Sequence, residues 1–253
     1  MQNLNFITPN WPAPANVKAL QTIRTGGVSK PPYETLNFGE HVKDNPLSVA
    51  HNRQLLSPYL PSEPVWMNQI HSTQVIDAAK SGCLKNADGA FTTEANVVCV
   101  TMTADCLPVL LCDKTGTVVA AVHAGWRGLC DGVIEAAIAK MPAKPEDILA
   151  WLGPAIGPNA FEVSDDVREQ FMHEDEQATA AFKPHSDKWL CDIYTIAKQR
   201  LISVGVKAIY GSSVNEEFCT YTDKTRFFSF RRDNTTGRMA SLIWLASKSF
   251  IHK

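Results

Sequence analysis

Short apolar runs separated by turn residues dominate the middle of the chain, and they predict buried β-strands. Each run is five or six residues long, which is too short for a typical helix. The predicted strands are Val97–Met102, Leu107–Cys112, Thr117–Val122 and Ile148–Leu152. The turn at Lys114–Gly116 joins the second strand to the third, so these two strands are expected to form a hairpin.

Apolar residues at helical spacing predict helices on either side of these strands. One helix is expected to start near Gly128, because apolar side chains recur at positions 129, 133, 136, 137 and 141. Ser164 and two aspartates precede Val167–Phe171, which is a typical helix start. A further helix is indicated by Leu190, Ile193, Ala197 and Leu201, and a short one by Asn52–Leu60.

The last part of the chain is expected to return to β-structure. The predicted segments are Ala208–Tyr210, Phe227–Phe230 and Met239–Leu245, whereas the N-terminal third is rich in turn residues. Because helices and strands mix with hairpins, rather than in a regular strand–helix–strand alternation, the pattern favours the α+β class. No linker-like tract or repeat divides the sequence, so we expect residues 1–253 to form one domain.

Composition and charge narrow the function classes. The chain has 253 residues, 45% hydrophobic and 20% charged, as in an ordinary globular protein. Its 24 basic and 26 acidic residues give a net charge of −2, so we expect no nucleic-acid partner. The first residues are not typical of a signal peptide, and no apolar stretch approaches the ~18 residues that span a bilayer. Seven scattered cysteines favour a reducing compartment, and we expect a cytoplasmic monomer without membrane contact.

One cysteine and two histidines lie near the predicted strands. Cys106 precedes a strand in the segment TADCLP, His123 follows the run TVVAAV, and His71 lies upstream in NQIH. A thiolate and two imidazoles are good ligands for zinc, and three protein ligands leave a position open for water or substrate. Each residue alone is more typical of a buried structural cysteine or a hydrogen-bonded core histidine. The spacing matches no local zinc-finger pattern, so the three side chains have to converge through the fold.

Further polar residues flank these positions. Asp105 interrupts an apolar run, where a carboxylate needs a partner or a function. Pro108 cannot donate a ladder hydrogen bond, so the strand is expected to break or bulge there. Arg24 and Arg127 each lie near glycines, and their planar guanidinium groups suit carboxylate or phosphate, although a surface ion pair is the simpler explanation of either residue alone.

A last polar cluster lies near the C-terminus, at Arg231, Arg232, Asp233 and Arg238. It is as typical of a solvated turn as of a functional site. Neither the G-x-G-x-x-G pattern nor a P-loop occurs in the chain, so the sequence gives no support for Rossmann-type nucleotide binding.

Motifs across nearly the whole chain resemble the YfiH/laccase-domain family. They are IRTGGVS (Ile23–Ser29), LNFG (Leu36–Gly39), NQIH (Asn68–His71), ADG (Ala87–Gly89), TADCLPVL (Thr103–Leu110), HAGWRG (His123–Gly128), LGPAIGP (Leu152–Pro158) and SFRRD…TGR (Ser229–Arg238). The resemblance implies a four-layer α/β/β/α sandwich with mixed sheets, related to a cysteine hydrolase fold. It also implies a zinc site at His71, Cys106 and His123, and a role in activity for Arg24.

The activity that this resemblance implies is phosphorolysis of adenosine, inosine, guanosine and methylthioadenosine, together with adenosine deamination. The expected partners are therefore a nucleoside and phosphate. Phosphorolysis needs a cation that holds phosphate, and deamination needs an activated water and a carboxylate that carries protons. The predicted catalytic residues are Cys106, Arg24 and Asp105. The predicted substrate-binding residues are Arg24, Asn37, Asp88, Arg127, Arg231 and Arg232.

Other functions compete with this prediction. A multicopper laccase is rejected, because none of the seven histidines lies in a His-x-His pair; copper is compatible with the predicted ligands, but not as a multicopper cluster. An amidase is the main alternative, in which Cys106 and His123 act as nucleophile and base, or zinc assists. The family resemblance implies that such an amidase removes L-Ser from UDP-MurNAc-L-Ser. In a third hypothesis the zinc only holds loops together, and the protein binds a partner without catalysis.

Overall fold

A computed structural model describes residues 4–81, 85–211 and 218–247, which form a mixture of sheets and helices. The strands are β1 (Phe6–Ile7), β2 (Val17–Thr22), β3 (Val75–Asp77), β4 (Gly89–Thr92), β5 (Cys99–Thr103), β6 (Leu107–Asp113), β7 (Val119–Ala124), β8 (Ile148–Leu152), β9 (Glu162–Val163), β10 (Phe182–His185), β11 (Lys188–Cys191), β12 (Ala208–Gly211) and β13 (Met239–Leu245). The helices are α1 (Pro46–Leu56), α2 (Ala78–Ser81), α3 (Trp126–Asp131), α4 (Val133–Lys140), α5 (Asp165–Glu174), α6 (Ile193–Ser203) and α7 (Phe230–Asp233). Short 3-10 turns cover Glu40–Val42, Ser57–Tyr59, Pro145–Asp147 and Glu176–Ala181.

The largest sheet has six strands in the order β12-β8-β6-β7-β4-β3. Its centre is the antiparallel hairpin β6–β7, in which Leu107 faces Ala124 and Pro108 faces His123. Two outer pairs, β12 with β8 and β3 with β4, are parallel, so the sheet is mixed. A four-stranded antiparallel sheet runs β1-β2-β13-β5, and a small three-stranded sheet runs β10-β11-β9.

The strands of the central hairpin bury both of their faces. Along β6, Val109 and Leu111 point into one apolar cluster and Leu110 into another, as the period of two in a strand requires. The first cluster includes Ile134 and Ala137 of α4, and the second includes residues of the four-stranded sheet. The central strands are therefore covered by helices on one side and by a second sheet on the other.

A third apolar cluster lies on the remaining face of the four-stranded sheet. It joins Val100 of β5 and Leu242 of β13 to Leu56 of α1 and to Phe38 and Trp66 in the loops. The mixed α+β class is confirmed. The named four-layer sandwich and the kinship with cysteine hydrolases stay predictions. Within the described ranges, no helix combines the length and the apolar character needed to cross a membrane.

Several sequence predictions agree closely with these elements. The predicted strands Val97–Met102, Leu107–Cys112 and Thr117–Val122 correspond to β5, β6 and β7, with ends that differ by at most two residues. The predictions Ile148–Leu152 and Met239–Leu245 coincide with β8 and β13. The hairpin is confirmed by the antiparallel pairing of β6 with β7.

Other local predictions are wrong. Phe227–Phe230 is not a strand, since residues 227–229 are irregular and α7 begins at Phe230. The helix near Gly128 is two helices, because Gly132 has a φ of 95° and interrupts the helical backbone. Leu190 lies in β11, so α6 begins only at Ile193, after Asp192 caps its first turn.

The expected strand break at Pro108 is also wrong. Pro108 lies inside β6, and its carbonyl accepts a hydrogen bond of 2.9 Å from the Gly153 amide. The chain turns earlier, between β5 and β6, where Asp105 has a φ of 96°. This turn brings the next residue, Cys106, to the start of β6.

Candidate metal centre and pocket

The structure brings Cys106, His123 and His71 together. Cys106 directly precedes β6, His123 lies on the adjacent strand β7, and His71 lies in the loop before β3. One ligand atom from each side chain lies within 4.8 Å of the others, and Cys106 Sγ is 3.8 Å from His71 Nε2. A shared metal ion needs at least three His, Cys, Asp or Glu side chains close together, and among the described residues these three side chains form the one such group.

A glycine just after β7 makes room for this cluster. The β6–β7 register pairs Leu107 with Ala124, and its continuation places Gly125 opposite Cys106. A Cβ atom at Gly125 would lie 2.5 Å from His71 Cδ2 and 3.2 Å from Cys106 Sγ. The first glycine of HAGWRG, Gly125, is therefore required by the space that His71 and Cys106 occupy.

A buried carboxylate positions both histidines. Asp88 has no exposed surface, and its Oδ1 accepts hydrogen bonds from His123 Nδ1 at 2.8 Å and from the His71 amide at 3.0 Å. Its Oδ2 accepts bonds from the amide and hydroxyl of Ser72 at 2.6 and 2.7 Å. Burial alone would raise the pKa of Asp88, but the bonds from His123 and Ser72 lower it to about 2. The carboxylate thus fixes the tautomer of His123, whose Nε2 is left for the cluster.

The charges of the cluster suit a metal ion. Burial would raise the pKa of the Cys106 thiol, but the imidazoles of His123 and His71 lower it to about 6. Burial would lower the pKa of His123, but Cys106 and Asp88 raise it to about 9. In the absence of an ion the thiolate is therefore paired with a protonated His123, which would lose the proton on Nε2 when a metal binds. Thiolate sulfur with neutral imidazole nitrogen is a donor set that zinc and copper bind.

The cluster opens into a cavity of about 450 Å³. Its walls include large apolar side chains, namely Met102, Trp126, Ile156, Phe161, Ile193 and Phe230. Its basic groups outside the cluster are His41, Arg127, Arg231 and Arg238. A cavity of this size with apolar walls and a few polar groups is typical of a small-molecule site.

Three of the predicted site residues outside the cluster line this cavity. Arg127 is exposed, and its guanidinium lies 4.4 Å from the ring centre of Trp126. Arg231 donates from Nη1 to the Glu162 carbonyl at 2.8 Å. Asp105 is nearly buried, and its two oxygens accept hydrogen bonds of 2.6 Å from the Thr220 hydroxyl and the Arg231 amide. Asp105 therefore ties the turn before Cys106 to α7.

Four predicted residues do not line the cavity. Asn37 and Asp88 have no exposed surface, so we reassign both from substrate contact to positioning. Arg232 donates to the carbonyls of Thr220, Tyr221 and Phe227 and pairs with Asp233, which makes it a structural centre of its loop. Arg24 donates to the carbonyls of Glu34 and Lys224 at 3.2 and 2.9 Å.

Two basic lining residues, His41 and Arg238, are outside the predicted substrate-binding set, although Arg238 belongs to the C-terminal polar cluster noted in the sequence. His41 lies in the turn Glu40–Val42, and its pKa is lowered to about 4, first by desolvation and then by the charge of Arg238. Arg238 lies one residue before β13 and belongs to the SFRRD…TGR motif. That motif was the available signal for Arg238, whereas nothing local distinguishes His41 from the other histidines.

Fold and site together define an α+β protein with a three-ligand candidate metal centre in a basic cavity. The chain belongs to the family described as multi-copper polyphenol oxidoreductase laccase, whose sequence profile matches residues 18–246. Similar proteins include the purine nucleoside phosphorylase YfiH of Shigella flexneri, 54% identical over 95% of this chain and 98% of its own length. The Escherichia coli (strain K12) protein of the same name is 53% identical with the same coverage.

Solved structures show the same fold. A Neisseria meningitidis protein of the DUF152 family superposes with a TM-score of 0.91 at 48% identity, covering 96% of this chain and 100% of its own. YlmD from Geobacillus stearothermophilus superposes with a TM-score of 0.83 at 28% identity, covering 98% of both chains.

Proposed function

We propose that this protein is a zinc-dependent purine nucleoside phosphorylase acting on adenosine, inosine, guanosine and methylthioadenosine, with adenosine deaminase activity in the same cavity. The observation that carries the proposal is the convergence of His71, Cys106 and His123 in a cavity that also holds three arginines. The names of the relatives support the reaction class. The proposal includes a cytoplasmic location, which the free cysteines among the described residues favour, and a monomeric protein.

The donor set of the cluster fits zinc. One sulfur and two nitrogens would hold the ion, and Asp88 orients His123 as a hydrogen-bond partner behind the ligands. A zinc ion bound there supplies Lewis-acid stabilisation of developing negative charge. A single copper ion suits the same donors, so the metal identity is part of what the experiment measures.

The residues of the cavity suit the two co-substrates of phosphorolysis. In this reaction a phosphate oxygen forms a bond to the anomeric carbon of the ribose while the bond to the purine nitrogen breaks. The three arginines of the cavity offer positive charge that suits a phosphate anion. Trp126 and Phe230 offer aromatic surface on which a purine ring stacks. The lowered pKa of His41 leaves it neutral near pH 7, so it is available to donate a hydrogen bond to a substrate without adding charge.

The amidase alternative has one observation in its favour. The pKa of Cys106 is lowered beside His123, as in cysteine nucleophiles paired with a general base. A metal-bound thiolate is a weak nucleophile, so the two functions compete for the same sulfur. Metal content and phosphate dependence separate them.

The test measures hypoxanthine release from inosine by the purified protein, with and without phosphate, alongside its metal content. We expect stoichiometric zinc and release that requires phosphate. Cys106→Ala is expected to abolish both, whereas Cys130→Ala, a buried cysteine outside the cavity, retains both. Release without phosphate, or a metal-free protein with full turnover, would contradict the proposal. A folded Cys106→Ala protein without turnover would exclude the purely structural role of zinc.

A further inference from the structure

Arg238 is a half-buried cation that lacks a carboxylate partner. Its Nη1 donates to the carbonyls of Thr236 and Gly237, each at 3.0 Å, and its guanidinium lies 5.7 Å from the ring centre of Phe230. Within the described ranges, Arg238 takes part in no ion pair. Part of its guanidinium is thus hydrogen-bonded to the protein backbone, while the group lines the cavity without a carboxylate in contact.

The negative groups nearby, the Cys106 thiolate and the Asp105 carboxylate, offset that charge only in part and form no ion pair with it. Arg231, which also lines the cavity, donates to a backbone carbonyl and forms no ion pair among the described residues. The nearby carboxylate of Asp105 already accepts bonds from the Thr220 hydroxyl and the Arg231 amide. Burial lowers the pKa of Arg238, but a guanidinium stays protonated at neutral pH. The cavity therefore carries an excess of positive charge that an anion would offset.

Arg24 has a different environment. Its guanidinium serves two backbone carbonyls, lies 4.0 Å from the Glu34 carboxylate and stacks over the ring of Phe228. It does not line the cavity. Arg24 is therefore a structural arginine that joins its own loop to the segment before α7, and the expected phosphate contact must come from another residue.

We propose that Arg238, assisted by Arg231, is the residue that binds the phosphate co-substrate. The inference rests on the proposed function, because it names the anion as phosphate. A planar guanidinium matches two phosphate oxygens at once, and a partly desolvated cation binds an anion more strongly than an exposed one. Phe230 contacts the Arg238 guanidinium and also lines the cavity, so the aromatic wall and the phosphate site are neighbours.

The test is calorimetric titration of the metal-loaded protein with inorganic phosphate at constant ionic strength. We expect Arg238→Met to raise the Kd for phosphate by about tenfold or more, since a hydrogen bond to a charged group is lost. Arg238→Lys keeps the positive charge but loses the planar guanidinium, so its Kd for phosphate is expected to lie between those of the wild type and Arg238→Met. The matched control is Arg168→Met, a half-buried arginine that stacks 4.1 Å over Trp189 outside the cavity.

Each outcome decides the proposal. An unchanged phosphate Kd in Arg238→Met, or no phosphate binding by the wild type at millimolar concentration, would overturn it. A tenfold loss in Arg24→Met without one in Arg238→Met would return the phosphate site to Arg24. If Arg238→Met does not fold, the phosphate Kd of Arg238→Lys is compared with that of the wild type instead, and an unchanged value would likewise overturn the proposal. Phosphate binding that depends on Arg238 without any phosphorolysis would refute the proposed function alone.

Discussion

Asp88 accepts a hydrogen bond from Nδ1 of His123 at 2.8 Å, and the same carboxylate oxygen accepts one from the His71 amide. Two ligands that are far apart in the sequence are thus held by one buried side chain. The carboxylate orients one imidazole ring directly and the other through its backbone. Its loss should therefore weaken the metal centre more than the fold around it.

Asp88→Asn is expected to lower zinc affinity by about 10- to 100-fold, the usual effect of losing a carboxylate behind a ligating histidine. Competition with a metal-binding dye measures the affinity. Asp77→Asn, which alters a partly exposed aspartate that pairs with Lys80, is the control and should retain it. Equal zinc affinity in the two variants would show that Asp88 does not position the ligands.

Replacement of any ligand should remove the metal. His71→Ala, Cys106→Ala and His123→Ala are each expected to lose bound zinc and turnover, because two ligands remain at a site that needs three. Metal analysis of the purified proteins and an inosine assay measure both properties. A variant that keeps stoichiometric zinc and full turnover would remove its residue from the site.

Gly125→Ala tests the space around the cluster. The φ of Gly125 is −66°, which any residue adopts, so an effect must come from the new Cβ atom and its collision with His71. We expect weaker metal binding with little change in melting temperature. The spectrum of the cobalt-substituted protein should retain the sulfur-to-metal band while its ligand-field bands shift. An unaltered spectrum and affinity would show that the loop of His71 adapts without cost.

Asp113 stabilises the turn between β6 and β7. Its carboxylate accepts bonds from the amides of Thr117 and Val118 at 2.6 and 2.9 Å and from the hydroxyls of Thr115 and Thr117. Burial would raise its pKa, but these bonds hold the pKa below its usual 3.8. The stabilisation is therefore present above that value and is lost as the pH falls through the lower pKa of the folded state.

Asp113→Ala is accordingly expected to lower the free energy of unfolding by about 1–3 kcal/mol at pH 7. The difference from the wild type should shrink in acid, as the wild-type carboxyl becomes protonated. Urea denaturation at several pH values measures this difference, with Asp131→Ala at an exposed position as the control. A difference that does not depend on pH would assign the effect to something other than the charge.

The sequence predicted the central strands well and the connecting segments poorly, for physical reasons. Strands β5 to β8 and β13 are fully buried, so their apolar runs are unambiguous. Phe227 and Phe228 are also buried, but in an irregular segment rather than in a strand, because Ser229 caps the helix α7 that follows directly. Their burial comes from tertiary packing, which a local apolar pattern does not distinguish from a strand. Strands β10 and β11 carry exposed polar residues, and their pairing has no apolar signature.

The site was predictable to a similar degree. The residue types and the family resemblance indicated His71, Cys106 and His123, and the structure brings them together. Their convergence depends on the register of a hairpin and on a distant loop, which no local spacing encodes. Arg238 reaches the cavity because β13, which follows it, begins opposite the end of β5, next to the turn that carries Cys106. Arg24 does not line the cavity, because its guanidinium donates a hydrogen bond to the carbonyl of Lys224, 200 positions away in the sequence.

The ligands of the candidate metal centre are held by two different parts of the fold. Cys106 and His123 lie at the same end of a buried hairpin, whereas His71 comes from an exposed loop position with a φ of 60°. Cys106 and His123 thus form a preformed pair of ligands on the sheet, and the loop supplies the third ligand, His71. A bound ion would therefore exchange on the side of the loop, and the loop rather than the core of the sheet would set its residence time.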